Sequence, residues 1–178
     1  MKLRTCRRVW QGRVFTVEQA EFEMARGARK LDIVRHGGAS VILSVLKRNR
    51  ILLIRQARPA VGRVIWELPA GTIGRGESPL ACARRELAEE TGWRAGRIKH
   101  LISFFPSPGF CDEKMHVFVA TQLSFVGQRL EPDEELTVRT VTLKQVLDMI
   151  QKGLIHDAKT IVALLVWQLN RKKHGRDS

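Results

Sequence analysis

Hydrophobic and polar positions alternate along several segments of the chain with the two-residue period that is typical of β-strands. Residues 14–25 follow this period and predict one or two strands. Apolar runs at 39–46 and 51–56 predict two more, and the polar residues 47–50 between them predict a hairpin turn. Residues 97–105, 116–125 and 137–143 have the same strand pattern.

One segment carries the signals of an α-helix at both ends. Ser78 is a natural N-cap, Pro79 suits the first helical position, and Gly92 suits a left-handed C-terminal position. Apolar residues between them fall on one stripe, so we predict a helix over 78–91. Two later patterns predict helices over 143–153 and 158–170, the second capped by Asp157. Strands flanked by helices predict an α/β or α+β sandwich.

Length and composition indicate a soluble domain of ordinary type. The chain has 178 residues, 44% hydrophobic and 28% charged, which excludes a disordered or fibrous protein. The longest apolar run, 161–167, is far too short to span a membrane. The basic start of the chain has no apolar stretch behind it, so we expect no secretory signal and a cytoplasmic location. Three cysteines without a CxxC pair argue against a zinc site or a disulfide framework.

Positive charge is in large excess. Lys and Arg number 31 against 18 Asp and Glu, which gives a net charge of +13. Such a charge attracts polyanions, including nucleic acid and phosphate-bearing small molecules. The basic residues are scattered along the chain, and no nucleic-acid-binding motif accompanies them. We therefore expect a basic surface that steers a phosphate-bearing substrate, with only weak, nonspecific attraction for nucleic acid.

Acidic residues crowd the last turn of the predicted helix 78–91. Glu86, Glu89 and Glu90 place negative charge where it opposes the helix dipole. Glu86 and Glu90 are also four residues apart, so their like charges lie on one face of the helix. A divalent cation would resolve this conflict. Carboxylates without His or Cys favour Mg²⁺, with Mn²⁺ as the other possible ion.

The same helix belongs to a longer spaced pattern. Gly71 is followed after five residues by Glu77, after seven more by Arg85-Glu86-Leu87, and then by Glu89-Glu90 and Gly92 at single-residue intervals. This pattern resembles the box of the Nudix hydrolases at every defined position. The resemblance implies an α/β fold, the Nudix-type α/β/α sandwich with a mixed β-sheet, preceded here by N-terminal β-strands. It also implies Mg²⁺-dependent hydrolysis of a nucleoside diphosphate that is linked to another group.

The resemblance further assigns roles to the residues of the box. It implies that Glu86, Glu90 and the carbonyl of Ala70 bind the metal, and that Glu89 binds metal or orients water. Arg85 and Glu77 correspond to an ion pair that ties the helix to its loop. The glycines at 71 and 92 correspond to a close backbone approach and to the end of the helix.

Segments on both sides of the box resemble the ADP-ribose pyrophosphatase branch of this family. These are RQARPAVGR at 55–63, WELPAG at 66–71, SPGFCDE at 107–113 and GLIHDAKTIVALL at 153–165, and the resemblance covers about residues 8–170. It implies cleavage of ADP-ribose, or a related ADP-sugar, to AMP and ribose 5-phosphate. The implied substrate-binding residues are Arg58 for phosphates, Glu67 for the adenine amino group, Pro108 and Glu113 in the loop, and Trp10 or Phe15 for ring stacking.

The family also needs a carboxylate on a loop behind the sheet, and residues 131–135 supply four candidates. The hydrophobic pattern that follows favours Glu134 or Glu135, and the spacing to Val138 favours Glu135. Some relatives have an acidic residue where this chain has Pro132, so the choice of general base stays open between these two residues.

The branch also implies a domain organisation. Residues 1–37 would form N-terminal strands that exchange between the subunits of a homodimer, where the partner can close the adenine pocket. Residues 38–173 would form the Nudix hydrolase domain, and 174–178 a basic tail. Two alternatives remain: a Nudix enzyme for another nucleotide sugar or capped RNA, and a non-enzymatic module that binds ADP-ribose or nucleic acid.

Overall fold

The N-terminal part of the chain forms a separate antiparallel sheet. A computed structural model describes residues 1–130 and 135–174. In it β1 (Lys2–Gln11), β2 (Phe15–Met24) and β3 (Gly27–His36) pair in the order β1-β2-β3. The sequence pattern predicted one or two strands over 14–25, and the structure adds a strand on each side of β2. The two flanking strands were missed because β1 is exposed at all ten positions and most of β3 is exposed, so neither has an alternating apolar face.

The second sheet is mixed. Its strands are β4 (Ala39–Leu46), β5 (Arg50–Arg58), β6 (Arg63–Glu67), β7 (Ala70–Thr72), β8 (Trp93–Phe104), β9 (Met115–Phe125) and β10 (Leu136–Thr142). The main order is β10-β5-β4-β9-β8, with β6 on β5 and β7 on β4. The β4–β9 pair is parallel, and the other pairs of this sheet are antiparallel.

Helices cover both faces of the mixed sheet. They are α1 (Pro79–Thr91), α2 (Leu143–Gln151) and α3 (Ala158–His174). One buried cluster joins α1 to the sheet through Ile42, Ala83, Leu87, Phe118 and Ala120. On the other face a larger cluster joins α2 and α3 to β4, β5 and β9, through Val146, Ala163 and Leu164 among others. The predicted α/β/α sandwich with N-terminal strands is confirmed.

Helix α1 begins and ends where its local sequence predicts. The Ser78 hydroxyl accepts a hydrogen bond from the Ala81 amide at 3.2 Å, and Pro79 is the first helical residue. Gly92 ends the helix with a φ of 73°, and its amide donates to the Ala88 carbonyl. A Cβ atom at position 92 would come within 2.7 Å of the Gln128 amide nitrogen. Both the left-handed backbone and this lack of space therefore require glycine at position 92.

A loop joins the N-terminal sheet to the main domain. The amide of Val34 on β3 donates to the Phe110 carbonyl at 2.8 Å, and the Asp112 amide donates back to the Val34 carbonyl at 3.1 Å. The Asp112 carboxylate accepts from the Arg35 guanidinium and from the His36 amide. Among the described residues, no helix is long and apolar enough to cross a membrane.

Candidate active site

A cleft of about 1070 Å³ opens where the loop behind β5, strand β7 and helix α1 meet. Several sequence-predicted residues line it together: Arg58, Ala70, Gly71, Glu77, Arg85, Glu86, Glu89 and Glu90. They come from three separate stretches of chain, and the antiparallel pairing of β7 with β4 brings the first residues of the box against α1. The cleft is therefore the place where the predicted metal-binding and phosphate-binding groups converge.

The two predicted metal-binding glutamates are buried on one side of α1. Glu86 is 8% exposed and Glu90 is 2% exposed. Glu90 accepts a hydrogen bond from the Ala70 amide at 2.9 Å, which fixes its carboxylate beside the start of β7. The Glu86 carboxylate lies over Gly71, in space that any side chain at position 71 would fill. Helix and loop are thus fitted to each other around these two carboxylates.

Arg85 holds the acidic residues of the cleft together. Its guanidinium donates to both oxygens of Glu77 at 3.0 and 3.1 Å, to Glu86 at 2.7 Å and to Glu89 at 3.0 Å. The hydrogen bond to Glu77, assisted by the other carboxylates, raises the pKa of Arg85. The same hydrogen bond lowers the pKa of Glu77. The predicted Arg85–Glu77 pair is present in the structure, and the guanidinium also neutralises two of the candidate metal-binding carboxylates.

Arg58 reaches the cleft from the end of β5, and Glu67 of β6 anchors it. Nε of Arg58 donates to Oε1 of Glu67 at 2.7 Å and Nη2 donates to Oε2 at 2.8 Å, a planar two-bond contact. Burial raises the pKa of the Glu67 carboxyl, but Arg58 and Lys159 outweigh burial and the net shift is downward. Glu67 is 1% exposed. Both carboxylate oxygens of Glu67 thus have donors within the protein, and the sequence-based role for Glu67, acceptance from an adenine amino group, stays a prediction.

Comparison with known proteins gives this arrangement a family. A model of the NUDIX domain matches residues 34–165. The chain belongs to the Nudix hydrolase family. The ADP-ribose pyrophosphatase of Bacillus subtilis is 38% identical over 164 residues, covering 90% of this chain and 89% of that protein. A GDP-mannose pyrophosphatase of Escherichia coli is 31% identical, covering 88% and 89% of the two chains.

A solved structure entitled "Crystal structure of ADP compounds hydrolase" has the same fold. It superposes with a TM-score of 0.85 and covers 99% of this chain and 97% of that chain, at 24% sequence identity. At this identity the likeness supports the Nudix fold and leaves the substrate open.

Nudix enzymes use a divalent cation, and the donors in this cleft fit one chemically. Among the described residues, no three His, Cys, Asp or Glu side chains already converge as a metal-binding group. The Arg85 guanidinium contacts Glu86 and Glu89 and so supplies the positive charge between them. The carboxylates of Glu86 and Glu90 and the carbonyl of Ala70 are hard oxygen donors, as Mg²⁺ and Mn²⁺ prefer. Two buried carboxylates beside a backbone that leaves room for them are the observation that favours a cation here.

The predicted stacking residues lie outside the lining of the cleft. Trp10 and Phe15 pack against each other, with ring centroids 5.1 Å apart, on either side of the turn of the β1–β2 hairpin. They are 50% and 39% exposed. The tip of the same hairpin does reach the cleft, through Arg13 and Val14. Both rings therefore stand beside the cleft and not in it.

The predicted loop residues Pro108 and Glu113 are also outside the cleft. Pro108 lines a separate apolar groove of about 370 Å³, between the N-terminal sheet and the loop. An oxygen of Glu113 lies 3.6 Å from Nδ1 of His36, at the end of β3. The structure therefore connects this loop to the N-terminal sheet, and does not bring it to the carboxylates of the Nudix box.

The candidates for the general base fall into two groups. Glu135 is exposed and lies with Arg55, Val64 and Thr137 in a surface depression that borders the cleft, since Ala57 lines both. Glu134, like Glu131, Pro132 and Asp133, lies outside the described residues. Glu89 does line the cleft, with 35% of its side chain exposed. Glu135 thus lies beside the cleft and not in its lining, and the preference for it stays a prediction.

The cleft residues that sequence reasoning missed include Gln56 and Arg13. Gln56 precedes Arg58 by two positions on β5, so both side chains fall on the same face of the strand. That spacing was the available signal. Oε1 of Gln56 is buried and has no hydrogen-bond partner among the described residues. A buried acceptor without a donor is costly, and a substrate group that donates to it would remove the cost.

Proposed function

We propose that this Nudix hydrolase cleaves the pyrophosphate of ADP-ribose, or of a related ADP-sugar, in the presence of Mg²⁺, and releases AMP and ribose 5-phosphate. One observation carries the proposal: a single cleft contains the carboxylates of the Nudix box and the guanidinium of Arg58. A nucleotide sugar presents a pyrophosphate, whose negative charge a cation and a guanidinium N–H donor in one cleft would stabilise. The similarity to an ADP-ribose pyrophosphatase over nearly the whole chain supports the choice of sugar nucleotide.

The residues of the cleft divide the work of hydrolysis. Arg58 contacts Glu67 through Nε and Nη2, and no hydrogen bond of Nη1 is found in the part of the chain described. Nη1 can therefore donate to a phosphate oxygen of the substrate. Glu86, Glu90 and the carbonyl of Ala70 would hold the cation. When bound, that cation supplies Lewis-acid stabilisation of the pyrophosphate oxygens.

The reaction itself is a displacement at phosphorus. The oxygen of a water molecule forms a bond to one phosphorus while the bond from that phosphorus to the bridging oxygen breaks. The departing phosphate takes the electron pair of that bond, and a carboxylate takes the proton of the water. Glu89 is one candidate to accept the proton, since it lines the cleft and is partly open to solvent. Glu134 and Glu135 are the other candidates for this step.

A second candidate function is hydrolysis of another nucleotide sugar. Glu67 is buried and already accepts from Arg58 and Lys159, which disfavours it as the acceptor for an adenine amino group. The GDP-mannose pyrophosphatases also match this chain at 31% identity. A binding module without turnover is disfavoured, because the Nudix box keeps all of its acidic residues.

A substrate panel separates these functions. The protein would be incubated with ADP-ribose, ADP-glucose, GDP-mannose, UDP-glucose or capped RNA, with and without Mg²⁺, and products would be resolved by ion-exchange chromatography. We expect the highest kcat/KM for ADP-ribose, with AMP as product, and no turnover by the Glu86→Gln variant. A higher kcat/KM for GDP-mannose or for capped RNA would replace the proposed substrate. Tight binding of ADP-ribose without turnover would favour the binding module.

We also propose that residues 1–37 form the interface of a homodimer. Strand β1 lies at the edge of the N-terminal sheet and is exposed at every position. An exposed edge strand of this length is typically paired or covered by another part of the protein or by a partner. The N-terminal sheet also exposes apolar side chains: Leu3, Val9, Trp10, Phe15 and Leu31. A second copy of the sheet would bury this surface.

The oligomeric state tests this proposal by light scattering after size-exclusion chromatography. We expect a mass near twice the 20.2 kDa of one chain, and a single-chain mass for the double variant Val9→Lys/Leu31→Lys. Leu154→Lys is the matched control, because Leu154 is 53% exposed on the main domain. A wild-type protein that elutes as a single chain at micromolar concentration would refute the interface.

A further inference from the structure

Lys159 is a buried cation that the roles described so far leave unexplained. It lies in the first turn of α3 and is 7% exposed. Its ammonium group donates to Oε2 of Glu67 and, at 2.9 Å, to Oδ1 of Asp157. Burial of an amine is costly, and apolar residues of similar volume often serve packing as well or better. Stability alone is therefore a poor reason for lysine at this position.

The start of α3 fixes Lys159 and the strand end beside it. Oδ2 of Asp157 accepts from the amide and hydroxyl of Thr160, at 3.0 and 2.5 Å, and so caps the helix. The Thr160 hydroxyl also accepts from the Leu68 amide at 2.8 Å. Consecutive residues of α3 thus hold Glu67 by its side chain and Leu68 by its backbone.

The contact continues from Glu67 into the cleft. Oε2 of Glu67, which accepts from Lys159, also accepts from Nη2 of Arg58. Arg58 has 39% of its side chain exposed, whereas Glu67 and Lys159 are closed off from solvent. An unbroken series of charged contacts therefore runs from α3, through the buried carboxylate, to the guanidinium at the cleft.

We propose that Lys159 is a positioning residue for the substrate phosphate, acting through Glu67 on Arg58. This inference rests on the proposed function, in which Arg58 binds a phosphate of the nucleotide. Lys159 holds the Glu67 carboxylate in one orientation. The two hydrogen bonds between Glu67 and Arg58 then hold the guanidinium of Arg58 in the plane of that carboxylate. Nη1 is thereby directed for the substrate before it arrives, which lowers the entropy lost on binding.

Lys159 also acts through charge. Without Lys159, Arg58 alone would balance the Glu67 carboxylate, so Glu67 would neutralise more of the positive charge of Arg58. With it, Glu67 is shared between two cations, and Arg58 keeps more attraction for an incoming phosphate. Both effects act on substrate binding before any bond is broken, so they predict a change in KM and not in kcat.

The test is kinetics of Lys159 variants in the full-length protein with ADP-ribose and Mg²⁺. For Lys159→Met we expect KM to rise about tenfold while kcat stays within about threefold. Lys159→Arg keeps the charge and should restore most of the affinity. Lys144→Met removes a positive charge from an exposed position on α2 and should leave both constants unchanged. If Lys159→Met does not fold, Lys159→Gln keeps a donor and most of the length, and takes its place.

A double-mutant cycle with Arg58 distinguishes positioning from a merely structural role. If Lys159 acts through Arg58, Lys159→Met should raise KM no further in a chain that already carries Arg58→Ala. Effects on KM that multiply in the double variant would overturn the proposal, and so would an unchanged KM in Lys159→Met. Thermal unfolding of all four proteins shows whether a loss of stability, rather than of affinity, accompanies the change.

The same cycle separates this inference from the choice of substrate. If the wild-type protein prefers another nucleotide sugar, the cycle is measured on that compound, and coupling of Lys159 to Arg58 would support positioning although ADP-ribose was the wrong substrate. If the protein turns over no nucleotide sugar, titration calorimetry with AMP gives the dissociation constants for the same four proteins. Additive losses of AMP affinity would then overturn the positioning role.

Discussion

A Cβ atom on Gly71 would stand 1.7 Å from Oε1 of Glu86 and 1.9 Å from its carboxyl carbon. The clash is with the far end of a side chain, so the Glu86 carboxylate can move away while the backbone stays in place. Glycine at this position therefore leaves the space that the Glu86 carboxylate occupies. Its backbone does not itself require glycine, because Gly71 is not among the glycines with positive φ. Residue 71 and residue 86 together define where the Glu86 carboxylate lies, the group that we propose as a metal ligand.

We expect Gly71→Ala to keep the fold and lose most of the activity. The methyl group displaces the Glu86 carboxylate, and such displacement of a metal ligand should lower kcat/KM about a hundredfold or more. The melting temperature should fall by only a few degrees, about 1 kcal/mol in stability. Gly37→Ala is the control, because its Cβ would meet its nearest neighbour, the Ile73 carbonyl oxygen, at 3.4 Å. Full activity of Gly71→Ala would contradict the fitted contact.

Removing the charge of Glu86 should separate catalysis from folding. Glutamine fills the same volume but is a poor Mg²⁺ ligand, so Glu86→Gln should lose nearly all turnover at any Mg²⁺ concentration. Mg²⁺ should raise the melting temperature of the wild-type protein, because a ligand of the folded state stabilises it, and should raise that of Glu86→Gln much less. Near-normal turnover of Glu86→Gln at saturating Mg²⁺ would remove this residue from the metal site.

Acid should unfold the protein partly through Glu67. The pKa of this carboxyl is lower in the folded state than its ordinary value of 4.5, because Arg58 and Lys159 outweigh the opposing effect of burial. The unfolded chain therefore takes up the proton first as the pH falls. The stabilisation is present above about pH 4.5 and is lost as the pH falls from there through the lower folded pKa.

Glu67→Gln tests that dependence by urea unfolding between pH 7 and pH 3. We expect the variant to be less stable at pH 7 by about 3 kcal/mol, since it leaves two buried or half-buried cations without their shared carboxylate. The difference from the wild-type protein should shrink as the pH falls below 4.5. Glu23→Gln, on the exposed N-terminal sheet, should show no such convergence. A difference that stays constant with pH would mean that Glu67 does not titrate in this range.

The parts of the fold that sequence predicts well are those whose signals are local. Ser78, Pro79 and Gly92 fix helix α1 by short-range capping, and the structure places both ends there. The spacing of Glu86 and Glu90 likewise gives their shared face from helix geometry alone. The Nudix box was recognisable for the same reason, since its residues lie within one loop and one helix.

What the sequence could not give depends on contacts between distant segments. The partner of Glu67 is one example: Lys159, which lies 92 positions further along the chain, donates to it, and no local pattern near Glu67 indicates this contact. Pro108 and Glu113 were expected at the substrate, yet their loop pairs with β3. Strand β1 has no alternating apolar face and is defined only by its pairing with β2. In each case a contact with a distant segment determines where the residue lies, and the local sequence does not indicate which segment that is.

The acidic loop 131–135 can be resolved by parallel Gln variants. Glu135 lies in a depression beside the cleft and does not line the cleft itself, so we expect Glu135→Gln to keep kcat within about threefold of the wild-type value. If a residue of this loop is the general base, Glu134→Gln should lower kcat far more than it changes KM. If neither variant is impaired and Glu89→Gln is, the base lies on α1. A crippled Glu135→Gln would restore the preference based on spacing to Val138.

The excess of positive charge should act on the rate of substrate capture. With a net charge of +13, the protein attracts a doubly charged nucleotide from a distance, and salt screens that attraction with a Debye length of about 8–10 Å near physiological ionic strength. We therefore expect kcat/KM for ADP-ribose to fall as KCl is raised from 20 to about 300 mM, at constant Mg²⁺, while kcat stays nearly flat. Stopped-flow binding should trace the loss to the association rate. RNA should bind weakly and dissociate by moderate salt, because released counterions drive such binding. Tight RNA binding that survives that salt, together with slow turnover of ADP-ribose, would instead favour an enzyme that acts on capped RNA.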